Sequence, residues 1–147
     1  MAPLVHSVEI DQPPEAVFAY VTDPTRFTEW QDNVVSAQPQ GDGTIRQGAR
    51  ITLTRRIGPR EQTMTSELSE YSPPHSYAFR VLDGPVRAHG KGTVEPLENG
   101  LRTRFTMELD FEGHGIGKLL VPLVVRRQAE RELRETHDNL KKRLEST

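Results

Sequence analysis

The sequence predicts an α+β fold in which a curved antiparallel sheet of about seven strands surrounds a long C-terminal helix, with two short helices after the first strand. Three observations support this prediction. An alternating segment at 4–10 is followed by two helical segments that each begin at proline. Short alternating runs separated by turn sequences fill 33–112, and a segment with helical spacing follows at 116–145. The chain length predicts a single domain covering 1–147.

The composition limits the molecules that this domain is expected to bind. There are 19 Lys and Arg against 21 Asp and Glu, so no overall basic field attracts nucleic acid. Cysteine is absent, which excludes disulfides, thiolate metal sites and thiol nucleophiles. The N-terminal sequence lacks the pattern of a signal peptide, and the longest apolar run, 119–125, is too short to span a bilayer. We expect a cytoplasmic protein without nucleic acid, integral membrane association, metal or cofactor.

Prolines mark the points where the first strand changes to helix. Residues 4–10 alternate as in a half-buried strand. Pro13 and Pro14 cannot donate to a ladder but fit the first turn of a helix. Asp23 and Pro24 repeat this arrangement, because the carboxylate can cap free amides while the proline takes the first helical position. Two short consecutive helices are therefore expected.

Turn sequences divide the central region into about six further strands that are expected to form hairpins. The last strand alternates strictly around Phe105 and Met107, which indicates one solvated face and one covered face. Gly90 and Gly92 leave one face of an earlier strand without side chains, a sign of bending or of close approach by a neighbour. The turns are GDG at 41–43, GP at 58–59, SPP at 72–74, DGP at 83–85 and NG at 99–100.

The segment 116–145 predicts one long helix that covers the sheet. Pro122 removes one helical hydrogen bond, so a kink is expected between Lys118 and Pro122. The outer face carries opposite charges four residues apart, which is typical of a solvated helix surface. The apolar stripe is expected to contain Ile116, Leu119, Leu120, Leu123, Leu133, His137, Leu140 and Leu144.

Three segments together resemble the START/Bet v 1-like (SRPBCC) superfamily, in its polyketide cyclase/dehydrase and lipid-transport-like branch. They read IDQPPEAVFAYVTDPTRFTEW, GKGTVEPLENGLRTRFT and GIGKLLVPLVVRRQAERELRETHDNLKKRLE. The resemblance implies a helix-grip fold with a mostly apolar cavity between the sheet and the long helix. Relatives use this cavity for lipids, hormones, quinones, polyketides or aromatic compounds, so function depends on the individual site.

The ligand-binding candidates are apolar and aromatic side chains that the resemblance places around the cavity. Trp30, the only tryptophan, either stacks on a ligand or simply closes the core. The residues on the strands either line a cavity or form ordinary core, and His137 on the helix either meets a polar ligand group or is a satisfied core residue. The candidates are Phe27, Trp30, Leu53, Phe79, His89, Phe105, Met107, Leu120, Val124 and His137.

The candidates for catalysis are few. If His89 points inward, it could donate a hydrogen bond or carry a proton near neutral pH; otherwise it is a surface histidine. A buried Arg80 could hold a carboxylate or enolate, and a buried Glu108 could act as a base, although strand alternation favours the outer face for both. Tyr77 is the fourth candidate. None of the four aligns securely with a catalytic residue of characterised cyclases.

The remaining motifs predict no other chemistry. His6 and His137 lack a third ligand at metal-binding spacing. The segment GHGIGK at 113–118 lacks the glycine and hydroxyl positions of a P-loop and is expected to be a hinge. The basic pairs Arg55–Arg56 and Arg126–Arg127 lack a neighbouring row of aromatic residues, so both are expected at the surface.

The leading functional hypothesis is a monomeric or homodimeric binding protein for a small hydrophobic or aromatic molecule. The absence of a convincing acid/base pair favours binding over catalysis. The alternative is a polyketide cyclase, aromatase or dehydrase, in which the cavity orients a reactive chain and excludes water. A third hypothesis is a protein-interaction role, as in relatives that bind chaperones, respiratory components or ribosomes.

Overall fold

The computed structural model describes residues 2–146, except the side chains of Leu120 and Leu123. Seven strands form one antiparallel sheet in the order β1-β7-β6-β5-β4-β3-β2. This architecture confirms the predicted α+β fold with its curved sheet and long C-terminal helix. The strands are β1 (Leu4–Ile10), β2 (Val34–Pro39), β3 (Arg50–Ile57), β4 (Arg60–Ser72), β5 (Ser76–Val81), β6 (Val86–Leu97) and β7 (Arg102–Gly113).

The two short helices begin as the prolines predict. Helix α1 (Pro14–Val21) starts directly after Pro13, whose backbone is extended. The carboxylate of Asp23 accepts a hydrogen bond from the Thr25 amide and starts a 3₁₀ turn, Pro24–Arg26. That turn leads into the single helical turn α2 (Phe27–Trp30), which brings Trp30 into the core.

The C-terminal helical region has three parts: α3 (Gly117–Leu120), a π-helical turn (Val121–Val125) and α4 (Arg126–Glu145). The predicted interruption at Pro122 is therefore a widened π turn. Proline has no amide hydrogen for the usual helical bond, and a π turn changes which side chains face inward. Within the part of the chain that the structure describes, no helix is both long and apolar enough to cross a membrane.

The π turn corrects the predicted apolar stripe. Val121 and Val125 are buried, whereas Ile116 and Leu119 are each 66% exposed and Val124 is 45% exposed. The prediction that Ile116 and Leu119 face the core is wrong, because the register shifts between α3 and α4. Beyond the π turn the prediction is confirmed, and the buried side chains of α4 are Ala129, Leu133, His137, Leu140 and Leu144.

Two glycines in β6 allow aromatic rings of β5 to lie against the sheet. Gly92 is opposite Tyr77, and a Cβ atom at Gly92 would lie 2.4 Å from the Tyr77 ring. A Cβ atom at Gly90 would lie 2.9 Å from the Phe79 ring. Both distances are too short for a side chain, so these glycines provide the close approach that the sequence predicted.

Candidate functional site

A cavity of about 170 Å³ lies between the inner face of the sheet and helix α4. Its volume exceeds the roughly 150 Å³ of an engineered protein cavity that binds benzene. Residues of α2 form part of its wall, and exposed Arg56 also lines it. Most lining side chains are apolar, and they include Ile45, Ile51, Leu53, Met64, Leu68, Phe79, Val81, Met107 and Leu133.

The structure brings together most of the ligand-binding candidates. Phe105 is fully buried but packs edge-on against His137, and it is not among the residues that line the cavity. Val124 is exposed because the π turn places Val125 inward instead. The side chain of Leu120 lies outside the described residues. The candidates that line the cavity are Phe27, Trp30, Leu53, Phe79, Met107 and His137, together with the catalytic candidate Tyr77.

Three candidates for catalysis lie on the outer face of the sheet. His89, Arg80 and Glu108 are exposed, and none of them lines the cavity. Strand alternation is the cause, because the inward positions next to them belong to other residues, among them Ala88 and Met107. Arg80 instead donates two hydrogen bonds to Oε1 of Glu67 on β4, at 2.9 and 3.3 Å. The hypothesis that these three side chains face the ligand is therefore corrected.

Arg55 lines the cavity, which corrects the prediction that it is a surface residue. Its guanidinium is half-buried and donates one hydrogen bond, to Oε1 of Gln31 at 3.0 Å. Residues Ile51, Leu53 and Ile57 occupy the alternate positions of β3 and line the same cavity. This alternation is the sequence signal for an inward-facing arginine. It conflicts with the interpretation of Arg55 and Arg56 as a surface basic pair.

Glu132 on α4 completes the charged end of the cavity. Burial raises the pKa of the Glu132 carboxyl, while a hydrogen bond from Gln128 and the charge of Arg55 oppose this rise. Burial likewise lowers the pKa of Arg55, and the charge of Glu132 opposes that change. Arg55 and Glu132 attract each other without forming a close ion pair among the described contacts. No sequence pattern distinguishes Glu132 from the other alternating charges of α4.

His137 lines the cavity as a neutral residue. Its Nδ1 lies 2.6 Å from Nδ1 of His6 on β1, so one ring donates the shared hydrogen and the other accepts it. Burial, followed by the nearby His6, lowers the pKa of His137 to about 3. The pair joins α4 to β1. Within residues 2–146, no cluster of three or more acidic or histidine side chains is placed to hold a metal ion.

Comparison with solved structures finds the same fold in several proteins of low sequence identity. A START superfamily protein from Mycobacterium smegmatis matches with a TM-score of 0.81 and 16% identity, covering 99% of each chain. The Zhui aromatase/cyclase from Streptomyces sp. R1128 matches with a TM-score of 0.79 and 17% identity, covering 97% of this chain and 93% of that one. At such identities the likeness establishes the fold alone.

A third structure is the di-domain aromatase/cyclase BexL from the BE-7585A biosynthetic pathway. It matches with a TM-score of 0.76 and 19% identity over 99% of this chain, which spans only 47% of the BexL chain. No curated protein matches the sequence significantly. The family model described as polyketide cyclase/dehydrase and lipid transport matches residues 1–145. Because this match covers nearly the whole chain, the protein belongs to the polyketide cyclase/dehydrase and lipid transport family.

Proposed function

We propose that this protein binds a small hydrophobic or aromatic molecule with an anionic group, whose apolar part occupies the cavity and whose charge lies at Arg55. The observation that carries the proposal is the Arg55 guanidinium in an otherwise mostly apolar wall, with Gln31 as its hydrogen-bond acceptor. A cytoplasmic location, a single domain and a monomeric or homodimeric state belong to the same proposal.

Arg55 has unused capacity to bind an anion. A guanidinium carries five N–H donors, and the contacts of Arg55 to side chains account for one of them. A carboxylate can accept two parallel hydrogen bonds from such a group, and these charge-assisted bonds are stronger than neutral ones. Glu132 attracts Arg55 but accepts no hydrogen bond from it among the described contacts. A ligand anion would therefore find an oriented cation at the edge of an apolar cavity.

The apolar wall supplies the rest of the expected affinity. Burial of hydrocarbon stabilises a complex by about 25 cal/mol for each square ångström removed from water. Phe27 and Trp30 meet edge-on with ring centroids 6.3 Å apart, so their rings add an aromatic surface to one wall. The family description, which joins polyketide chemistry with lipid transport, supports a hydrophobic or aromatic ligand.

The test compares phenylacetate with phenylacetamide, its neutral counterpart of similar shape, by isothermal titration calorimetry. We expect phenylacetate to bind at least about tenfold more tightly, as charge-assisted hydrogen bonds imply. Arg55→Met should remove this preference, whereas Arg80→Met on the outer face should preserve it. Absence of heat with both compounds, together with no bound mass in native mass spectra of freshly purified protein, would contradict the proposal.

Catalysis by a cyclase, aromatase or dehydrase is the second candidate, and Glu132 is the observation that favours it. Burial raises the pKa of the Glu132 carboxyl, which lines the cavity and can exchange a proton with a bound ligand there. The test is water elimination from a β-hydroxyacyl thioester, monitored by absorbance of the unsaturated product. Glu132→Gln should reduce turnover about a hundredfold while phenylacetate still binds. Absence of turnover by the unaltered protein would exclude this dehydrase activity.

A further inference from the structure

Three buried polar side chains in the cavity wall have no hydrogen-bond partner among residues 2–146. They are Trp30, Ser66 and Tyr77, which are 3%, 8% and 6% exposed. Nε1 of Trp30 is fully buried without an acceptor, and no hydrogen bond is formed by the hydroxyls of Ser66 or Tyr77. These groups are distinct from Arg55, Gln31 and Glu132 at the charged end.

Tyr77 is the best positioned of the three. Its ring lies over Gly92, which is also opposite Met107 on β7. Phe18 contacts the ring edge-on, with centroids 6.1 Å apart and an interplanar angle of 81°. Packing from both sides therefore fixes the direction of the phenol. Burial is the sole cause of the raised pKa of Tyr77, so the phenol stays protonated and can both donate and accept a hydrogen bond.

A buried polar group without a partner destabilises a protein by about 1–3 kcal/mol. Nε1 of Trp30 is such a group. Phenylalanine at position 77 and a small apolar residue at position 66 would provide the same packing without an unpaired hydroxyl. The indole of Trp30 adds a donor that needs an acceptor. All three groups line one cavity, so a single bound molecule can supply the missing partners.

We infer that the ligand carries a neutral carbonyl or hydroxyl oxygen on its ring or hydrocarbon part, and that Tyr77 selects such ligands by a hydrogen bond to this oxygen. Trp30 supplies a second donor for an acceptor oxygen. This inference rests on the proposed ligand-binding function and adds to it. Arg55 lies opposite Gln62 on β4, whereas Tyr77 lies opposite Tyr71 near the other end of that strand. The neutral oxygen is therefore separate from the anionic group.

The test uses acetophenone and ethylbenzene, which differ only in that acetophenone has a carbonyl group where ethylbenzene has a methylene group. Dissociation constants for both are measured by calorimetry with the unaltered protein and with Tyr77→Phe. We expect Tyr77→Phe to weaken acetophenone about three- to tenfold, as one hydrogen bond implies, and to leave ethylbenzene unchanged or slightly tighter. Tyr71→Phe is the matched control, because Tyr71 also contacts Phe18 but does not line the cavity.

Equal weakening of both probes by Tyr77→Phe would overturn the inference, because the phenol would then act only by packing. A loss of acetophenone affinity in Tyr71→Phe of the same size would also overturn it. If phenylacetate binds through Arg55 but Tyr77→Phe does not change the relative affinity of the two probes, the inference fails while the proposed function stands. Failure of the unaltered protein to bind any of these compounds would overturn both.

Discussion

Arg80 and Arg55 project from opposite faces of the same sheet and differ in what they contact. Arg80 is exposed and donates two hydrogen bonds to Glu67, which also pairs with Arg50. Arg55 is half-buried, and its one described hydrogen bond goes to the neutral amide of Gln31. Glu67 on the neighbouring strand pairs with the outer arginine, whereas most donors of the inner arginine have no partner among the described contacts. The hydrogen-bond partners of the two arginines therefore differ more than their residue type does, and this difference is the basis for proposing Arg55 rather than Arg80 as the ligand-binding arginine.

The carboxylates of the two faces show the same contrast. A hydrogen bond from Arg80 is the main cause that lowers the pKa of Glu67, with a smaller contribution from Arg50. On the inner side, burial raises the pKa of Glu132 in spite of the charge of Arg55. The outer carboxylate is held in its charged form, and the inner one is shifted toward its neutral form. Substitutions on each face can test this division.

The largest expected effect comes from filling the space above the inner face. Gly92→Val places Cβ within 2.4 Å of the Tyr77 ring, which must move toward the cavity. We expect unfolding free energy to fall by about 1–3 kcal/mol, as overpacked cores do, and phenylacetate binding to weaken at least about tenfold. Urea denaturation and calorimetry measure the two effects. Lys91→Val, on the outer face of the same strand, should change both only slightly, and an equal effect there would contradict the comparison.

The second prediction concerns the pH dependence of stability. The pKa of His137 is about 3 in the folded protein and 6.5 in the unfolded chain, so the unfolded state binds more protons below pH 6.5. Stability is therefore lost as pH falls from 6.5 toward 3, by at most about 1.4 kcal/mol per pH unit from this residue. Urea denaturation between pH 6.5 and 5 should show this slope, and His137→Gln should reduce it. If the slope stays the same in His137→Gln, the assignment of the effect to His137 is wrong.

The third prediction concerns the stability of the two arginine variants. Arg55→Met should leave the melting temperature nearly unchanged, because it removes the desolvation cost of a half-buried cation together with its attraction to Glu132 and its hydrogen bond to Gln31. Arg80→Met should lower the melting temperature slightly, because it removes both hydrogen bonds to Glu67. Differential scanning calorimetry without ligand compares them. A clear loss of stability in Arg55→Met alone would indicate a structural role for Arg55.

The smallest effect is expected at Glu67. Its folded-state pKa lies below the ordinary value of 4.5, so its stabilising contribution is present above about pH 4.5 and is lost as pH falls further. Glu67→Gln should lower the melting temperature slightly at pH 7 and low salt. The difference from the unaltered protein should disappear in high salt, because these ion pairs are exposed to screening. A difference that is independent of salt would show that Glu67 acts through packing instead.

The sequence predicted the fold well because its signals were local. Proline placement located α1 and the turn before α2, and strict alternation identified the covered face of β7. The register of the C-terminal region was not predictable in the same way. A proline indicates an interruption, but it does not determine whether the chain forms a kink or a π turn, and the choice decided that Val125 rather than Val124 faces inward.

The site was predicted less completely than the fold. Trp30 and Phe79 line the cavity, as the resemblance implied, whereas spacing and alternation alone indicated only that they face inward. Arg55 was missed because its neighbour Arg56 suggested a surface cluster, although its alternation with Leu53 pointed inward. Glu132 could not be found locally, since its environment comes from contact between α4 and the β3 region. Arg55 and Glu132 are candidates for ligand binding because the folded chain buries them in the cavity wall, and such burial between distant segments cannot be deduced from local sequence patterns.

The position of Trp30 has an optical consequence. It is the only tryptophan of the chain, and it lies in the cavity wall. All tryptophan fluorescence of the protein therefore originates from one indole beside the space that the ligand would occupy. Entry of a molecule changes the polarity around that indole and can quench its emission. The unlabelled protein thus provides a spectroscopic signal of cavity occupancy, without an added dye and without background from a second tryptophan.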